Sequence, residues 1–403
     1  MASGWMGGGG GHRVALGIIT GVLLVGLDTM PSAAAAQEVV ELPAEDRVLQ
    51  PALEEVVRVG SLDGELWETF GEVRGVAFDG AGNLHVFDPR SARVVVVAPD
   101  GTFLREVGEA GEGPGELRTP VAFAVFRDGG VVIADMGHRA YLVYGSDGRF
   151  LRQLSMAGEG GLVRLGGLQA DPTGRGVVHG GGGTMVSMQA GPGASLEPPD
   201  ARPVELLELD GEVATARTLV EGWQPPREGG AETLQGGGMS VRVAVAGPRT
   251  FEPGLHVGVL PDGGVAVADS STWAVTVTGR DGAVRRVLRR PLRPRPVTER
   301  VEEAERRRQL RELEEGEGPR MSITTRTGGG ATRTVPREAI EEMMRGRIEQ
   351  MRFYPEIPVI REMRSGWSGI LWVQRRSADD PGEPGPVDLV TPEGAYLGTI
   401  PES

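Results

Sequence analysis

Residues Val73–Gly108 read VRGVAFDGAGNLHVFDPRSARVVVVAPDGTFLREVG, and this stretch decides the fold because its pattern recurs along the chain. An apolar strand leads into a Gly-bearing turn, a second strand ends in Asp88, a third strand follows, and the Asp100-Gly101 turn opens a fourth. Four short antiparallel strands in about 40 residues are the sequence form of one β-propeller blade. The copies share an internal distance: Asp88 precedes Asp100-Gly101 by 12 residues, Asp135 precedes Asp147-Gly148 by 12, and Asp269 precedes Asp281-Gly282 by 12. A weaker copy has Gly176–His179 as its second strand and Asp210-Gly211 as its late turn, and a last one runs from Gly369–Gln374 to Glu393-Gly394. Five blades are legible in this way. The span Val204–Val245 either holds a degenerate sixth blade or completes the third and opens the fourth.

The linker GEGPGELRTP (Gly111–Pro120) and the following FRDGGVVIADMGHRAYLVYGSDGRFLRQL resemble the NHL-type six-bladed β-propeller repeat. In that repeat a Gly-rich, Pro-ended linker enters a strand, then an Asp-ended strand, then an Asp-Gly hairpin. The likeness covers about residues 60–160 and, less closely, 255–290 and 356–400. It implies an all-β, six-bladed β-propeller whose sixth blade is degenerate. Because NHL-like propellers serve many roles, it implies a fold more than an activity. Some related six-bladed propellers are metal-dependent lactonases and lyases with an ion in the central channel, which makes a metal-dependent hydrolase or lyase the alternative to a binding protein.

Upstream of the repeats, residues 1–36 carry His12 and Arg13, an apolar run Val14–Leu27 and the small-residue stretch Ala33–Ala36. That is the pattern of a secretory signal peptide cleaved after Ala36, giving a periplasmic or secreted protein. The apolar run is shorter than the ~20 residues a spanning helix needs, so the mature chain is expected to have no membrane span. Residues 37–55 read as an N-terminal leader and residues 56–403 as the propeller. Val56–Val59 is expected to close the ring by pairing with the last blade, leaving no open sheet edge.

Composition narrows the function classes. The formal net charge is −14, all 42 basic residues are Arg, and cysteine is absent. The acidic balance argues against a nucleic-acid partner, and the lack of Cys removes disulfides and thiol chemistry. The Gly108–Gly115 linker is no phosphate cradle, since a P-loop needs a Lys that the chain does not contain; its glycines serve a blade-to-blade crossover.

Before the last blade the composition changes to a helical insertion at 297–353. Glu299–Glu315 is charge-dense and reads as a solvated helix. Pro336–Met351 places Ile340, Met343, Met344, Ile348 and Met351 on one face, a stripe that either packs on a mouth of the ring or docks a partner.

A propeller works through its central channel and the loops at its mouths. Aligning the inner strands on the turn glycines Gly82, Gly129, Gly174, Gly263 and Gly369 brings Arg74, Gly75, Val121, Ala122, Gly166, Gly167, Leu255, His256, Arg361 and Glu362 to equivalent places. The polar members Arg74, His256, Arg361 and Glu362 are the ligand-binding candidates. Two guanidiniums and an imidazole suit an anion, because Arg offers bidentate geometry to carboxylate or phosphate; the alternative is that they solvate the channel and pair with Glu362 or Glu72. The expected partner is therefore a protein or a small anionic ligand, held without catalysis. No catalytic residue, metal ligand or cofactor is assigned. His85 and His179 fall in second strands between blades and His138 in a turn, which scatters the imidazoles away from any single ion. Asp88, Asp135 and Asp269 recur once per blade, so they are read as acceptors of backbone N–H groups rather than as a carboxylate cluster.

Overall fold

The computed structural model describes residues 37–51, 54–156, 162–164, 167–180, 185–187, 201–226, 231–236, 239–244, 249–315, 324–326, 332–334 and 337–402. The expected signal segment, most of the Gly/Pro insertion of the third blade and Pro336 lie outside them. Residues Gln37–Ser403 make one compact unit.

Five antiparallel blades are built as the repeat pattern predicts. The first contains Gly75–Phe78, Leu84–Asp88, Arg93–Val97 and Phe103–Val107. The second contains Pro120–Val125, Val131–Asp135, Ala140–Tyr144 and Phe150–Ser155. The third is formed by Leu168–Ala170, Gly176–Gly180, Ala201–Glu208 and Thr215–Trp223. Val204–Leu209 thus belongs to the third blade, and beyond it the 204–245 span contributes the two-stranded hairpin Ala231–Gly236/Met239–Ala244. His256–Val259, Val265–Ala268, Ala274–Thr278 and Val284–Arg289 make the fourth, and Ile360–Ser365, Leu371–Arg376, Pro384–Val390 and Tyr396–Ile400 the fifth. Among the described residues there are five four-stranded blades, not the six that the resemblance implies.

Local chemistry explains the repeat. Each first turn places its glycine at positive φ, from +74° at Gly174 to +91° at Gly129, a region that a Cβ disfavours. The repeated aspartates are acceptors, fully buried at Asp88 and Asp135 and half-buried at Asp269. Asp88 takes the N–H groups of Gly71, Glu72 and Ser91 at 2.9, 3.0 and 3.2 Å, and Asp135 takes those of Arg118, Thr119 and His138 at 2.7, 3.0 and 2.8 Å. One carboxylate therefore ties the chain entering a blade to the turn behind that blade's second strand. Asp269 accepts from Trp223 at 2.6 Å. In the fifth blade the equivalent residue is Arg375.

Four of the interfaces between successive blades are hydrophobic cores. Val94, Val96 and Phe87 meet Ile133 and Leu142 between the first and second blades, and Val132, Val143 and Leu154 meet Val177 and Leu207 between the second and third. Val204 and Leu206 meet Val265 and Val267, then Trp273 and Val275 meet Met363, Leu371 and Val373. Each such side chain contributes about 1.5–3 kcal/mol on burial.

The junction of the fifth blade with the first is different. Val86, Val95 and Val97, on the free face of the first blade, pack against Val59, Trp67 and Phe70 of the leader, which continues past residue 55 to the first inner strand at Gly75, and Trp67 stacks on Phe103 at 5.2 Å. Val56–Val59 forms no strand; it lies against the first blade, where Val57 approaches Gly101. Pairing occurs earlier in the chain. Glu38–Glu41 adds a parallel fifth strand to the outer edge of the fourth blade, and Val48 bridges Thr399 on the outer strand of the fifth. The leader therefore wraps the fourth, fifth and first blades in turn. What sets the first blade apart is that it offers an uncovered apolar face, whereas the fourth and fifth blades are met at their outer hydrogen-bonding edges.

The insertion holds α1 (Glu299–Glu315) and α2 (Arg337–Glu349). One face of α1 is not solvated. Glu305 is buried, pairs with Arg308 at 2.6 Å and accepts from Gln309 at 2.8 Å, against the Gly382 loop of the fifth blade. Burial would raise the Glu305 carboxyl, but the Arg308 and Gln309 hydrogen bonds hold it below the usual range. On α2 the stripe is graded, with Ile348 buried and Met343 exposed. Arg306 lies over Phe353 at 4.9 Å, a cation–π contact inside the insertion, and the Thr250 N–H donates to Arg352 O at 2.7 Å, which ties the end of the insertion to the segment before the fourth blade. No described helix is long and apolar enough to cross a membrane.

Candidate functional site

The five inner strands enclose a central cavity of about 1070 Å³. Its walls are apolar or small: Phe78, Phe87 and Phe123 from the first two blades, Leu168 and Ala170 from the third, Val259 and Pro261 from the fourth, and Gly366 and Trp367 from the fifth. Backbone close to the axis is left bare by Gly75, Gly167 and Gly366; a Cβ on Gly167 would meet nothing within 4 Å.

The polar side chains in this wall are already engaged. Gln169 donates to Val257 O at 2.7 Å and accepts from Val259 N at 3.1 Å, which ties the third blade to the fourth. Ser365 donates to Val259 O at 2.8 Å, and the Trp367 indole donates to Phe78 O at 2.8 Å. What remains is two guanidiniums, Arg74 and Arg364. Arg74 donates through Nε and Nη2 to Glu72, at 3.0 and 2.8 Å, and Arg364 pairs with Glu362 at 2.5 Å.

These two arginines face the open junction. Along the first inner strand Gly75 and Ala77 turn toward the second blade, so by alternation Arg74, Val76 and Phe78 turn the other way, and Val76 and Phe78 are 57% and 55% exposed. In the fifth blade Met363 and Leu371 pack on the fourth, which leaves Glu362, Arg364 and Trp372 on the side toward the first; Trp372 is 45% exposed.

Of the residues singled out from the sequence, Arg74 lines the cavity, whereas His256, Arg361 and Glu362 do not. Arg361 donates to Gly382 O in the outer loop of its own blade, and Glu362 is taken up by Arg364. His256 opens the fourth inner strand, pairing with Ala268. Burial pushes its pKa down to about 4; Glu362 opposes this, while Arg376, Arg202 and Arg364 add to it, so the imidazole is neutral near pH 7. Arg364 lies outside the aligned positions because it stands five residues before its turn glycine, not seven or eight. Two residues beyond Glu362 on the same face, it was recoverable from strand periodicity.

The other histidines are structural in placement. His85 is buried with Nε2 3.3 Å from Asp79, His179 is buried in the third blade's second strand, and His138 sits in the turn after Asp135. Burial lowers the His85 pKa, against the pull of Asp79. Among the described residues no three His, Asp or Glu side chains gather as an ion would require. None of the described residues of the insertion is in the cavity wall.

No protein-family model and no curated protein matches the chain. Solved structures that it resembles include a virginiamycin B lyase from Staphylococcus aureus, at 9% identity, TM-score 0.33, with 81% of this chain and 69% of that one covered. A nidogen/laminin complex aligns at 10% identity and TM-score 0.35, covering 82% and 80%. A gluconolactonase from Xanthomonas campestris aligns at 15% identity and TM-score 0.31, covering 55% and 63%. These neighbours are lyase, lactonase and binding proteins, and at such similarity none of their activities transfers to this chain.

Proposed function

We propose that this chain is an exported, NHL-like β-propeller that acts as a non-catalytic binding protein, holding a small ligand in its central cavity. The observation that supports this reading is the composition of the cavity: about 1070 Å³, with apolar side chains from every blade, two arginines, and its neutral polar groups spent on inter-blade bonds. Pockets of this size and lining suit small organic ligands. The test is a fluorescence titration of Gln37–Ser403 with phenylnaphthylamine, an uncharged apolar probe. One molecule per chain is expected, with binding lost in Gly167→Trp, whose side chain enters open space. Undiminished binding in that variant, or no binding to the native chain, overturns the reading. Export is tested separately by sequencing the mature N-terminus, expected at Gln37.

A hydrolase or lyase reading draws its support from His256, a neutral imidazole whose charge environment includes Glu362. Metal analysis of the purified chain, with melting measured before and after chelator, tests it: bound metal and a chelator-induced drop in Tm would favour it over the binding reading.

A further inference from the structure

We infer that the ligand of the central cavity is an aromatic monoanion, and that its anionic group binds Arg74 and Arg364 together across the junction of the first and fifth blades. The inference rests on the cavity-binding reading above and specifies its ligand class. Three observations lead to it.

The wall offers rings and glycines but few free hydrogen-bonding groups. A polyhydroxylated ligand such as a sugar would lose its water without replacement, and each unpaired group would weaken binding. A planar ring loses nothing by the same transfer and gains stacking surface from Phe78, Phe123 and Trp367. The charged groups in the lining are the two guanidiniums, so the charge that complements the cavity is negative.

The arginines also come from opposite sides of the one junction that lacks a core between blades. Each is held by a single carboxylate two residues before it in the chain, Glu72 or Glu362. Arg74 commits Nε and Nη2, which leaves Nη1 for a ligand oxygen. Arg364 is 77% exposed at its side chain. Among the described residues the direct hydrogen bond between the inner strands of these blades is Trp367 to Phe78 O. An anion accepting from both arginines adds a second link, so that ligand binding and tightening of the junction are one event.

The experiment compares anilinonaphthalene sulfonate with its uncharged parent, phenylnaphthylamine, on the Gln37–Ser403 chain. The sulfonate is expected to bind at least tenfold more tightly, about 1.4 kcal/mol, because its charge-assisted bonds to the guanidiniums are stronger than any contact open to the uncharged parent. In the Arg74→Gln/Arg364→Gln double variant the sulfonate should fall to the affinity of the parent, with the parent changed less than twofold. Both arginines are exposed, and an unchanged melting curve shows that the variant folds. Hydrogen exchange should show sulfonate-induced protection in peptides containing Val76–Phe78 and Arg364–Trp367. Equal affinities for the two probes, an unaffected double variant, or protection confined to other blades overturns the inference while leaving the cavity reading intact. If neither probe binds, both fail.

Discussion

The two sides of the fifth blade are closed by opposite means. Toward the fourth blade lies a dry core with a buried polar network. The Trp273 indole donates to Asp388 at 2.8 Å, Arg290 pairs with Asp388 and Asp46 at 3.0 Å each, and Thr399 donates to Asp388 at 2.7 Å. Arg290 also donates to the carbonyls of Pro43, Ala44 and Glu45 and lies over Tyr396 at 4.6 Å, so one guanidinium holds the leader against two blades. Toward the first blade there is one indole hydrogen bond, two exposed Arg–Glu pairs and half-exposed apolar side chains. The ring is therefore locked on one side of its last blade and left accessible on the other, where the cavity lies.

The contrast can be broken most forcefully at its locked side. Arg290→Met should destabilise the chain by up to about 3–5 kcal/mol, because it removes the nearer of two charge partners of the buried Asp388 and leaves only Arg375 at 3.5 Å; urea unfolding of variant and native chains measures it. A cost below about 1 kcal/mol would show that the leader network is peripheral to stability. Trp67→Ala should cost about 2 kcal/mol by uncovering the free face of the first blade, with faster hydrogen exchange in Val95 and Val97 as the local signature.

A pH series sharpens the comparison. His256 has a folded pKa of about 4 against 6.5 for the unconstrained group. Between those values the unfolded chain binds the extra proton, so stability falls as pH drops from about 6.5 to 4, by up to about 3 kcal/mol. His85, shifted in the same direction, adds to the fall in this window. Asp46 and Asp88, held low by hydrogen bonds that outweigh their burial, lose their stabilising contribution only as pH falls below about 3.8. In His256→Gln the loss of Tm between pH 6.5 and 4 should shrink while the loss below 3.8 remains; an unchanged profile across both windows contradicts the assignment. The smallest effect is expected at the open side. Trp367→Phe removes one hydrogen bond to Phe78 O and should cost about 1 kcal/mol or less, read as a melting shift of a few degrees.

Much of the blade architecture was legible because it is local. The positive-φ glycines Gly82, Gly129 and Gly263, the Asp-Gly turns, and Asp88 and Asp135 as acceptors are each set by residues within one repeat of each other. Glu299–Glu315 was readable for the same reason, as a run of helix formers. The burial of Glu305 was not, because the Gly382 loop that covers it lies far along the chain. Neither was the leader: Val56–Val59 has the apolar pattern of a strand, yet it covers a face, while the more polar Glu38–Glu41 supplies the pairing. The fifth blade did carry a written warning in Arg375, which stands where other blades have Asp and pairs at 2.6 Å with Asp46 of the leader.

By itself the sequence determined the all-β class, the blade boundaries, the turn geometry and the helical insertion, all products of short-range backbone preference and hydrophobic alternation. Which edges the leader occupies, which junction stays open and which two arginines share a cavity were decided only when strands some 290 residues apart in the chain, Arg74 and Arg364 among them, came together. The physical reason is that a propeller repeats its internal contacts in every blade, whereas closure happens once, and a pattern that occurs once leaves no periodic trace to read.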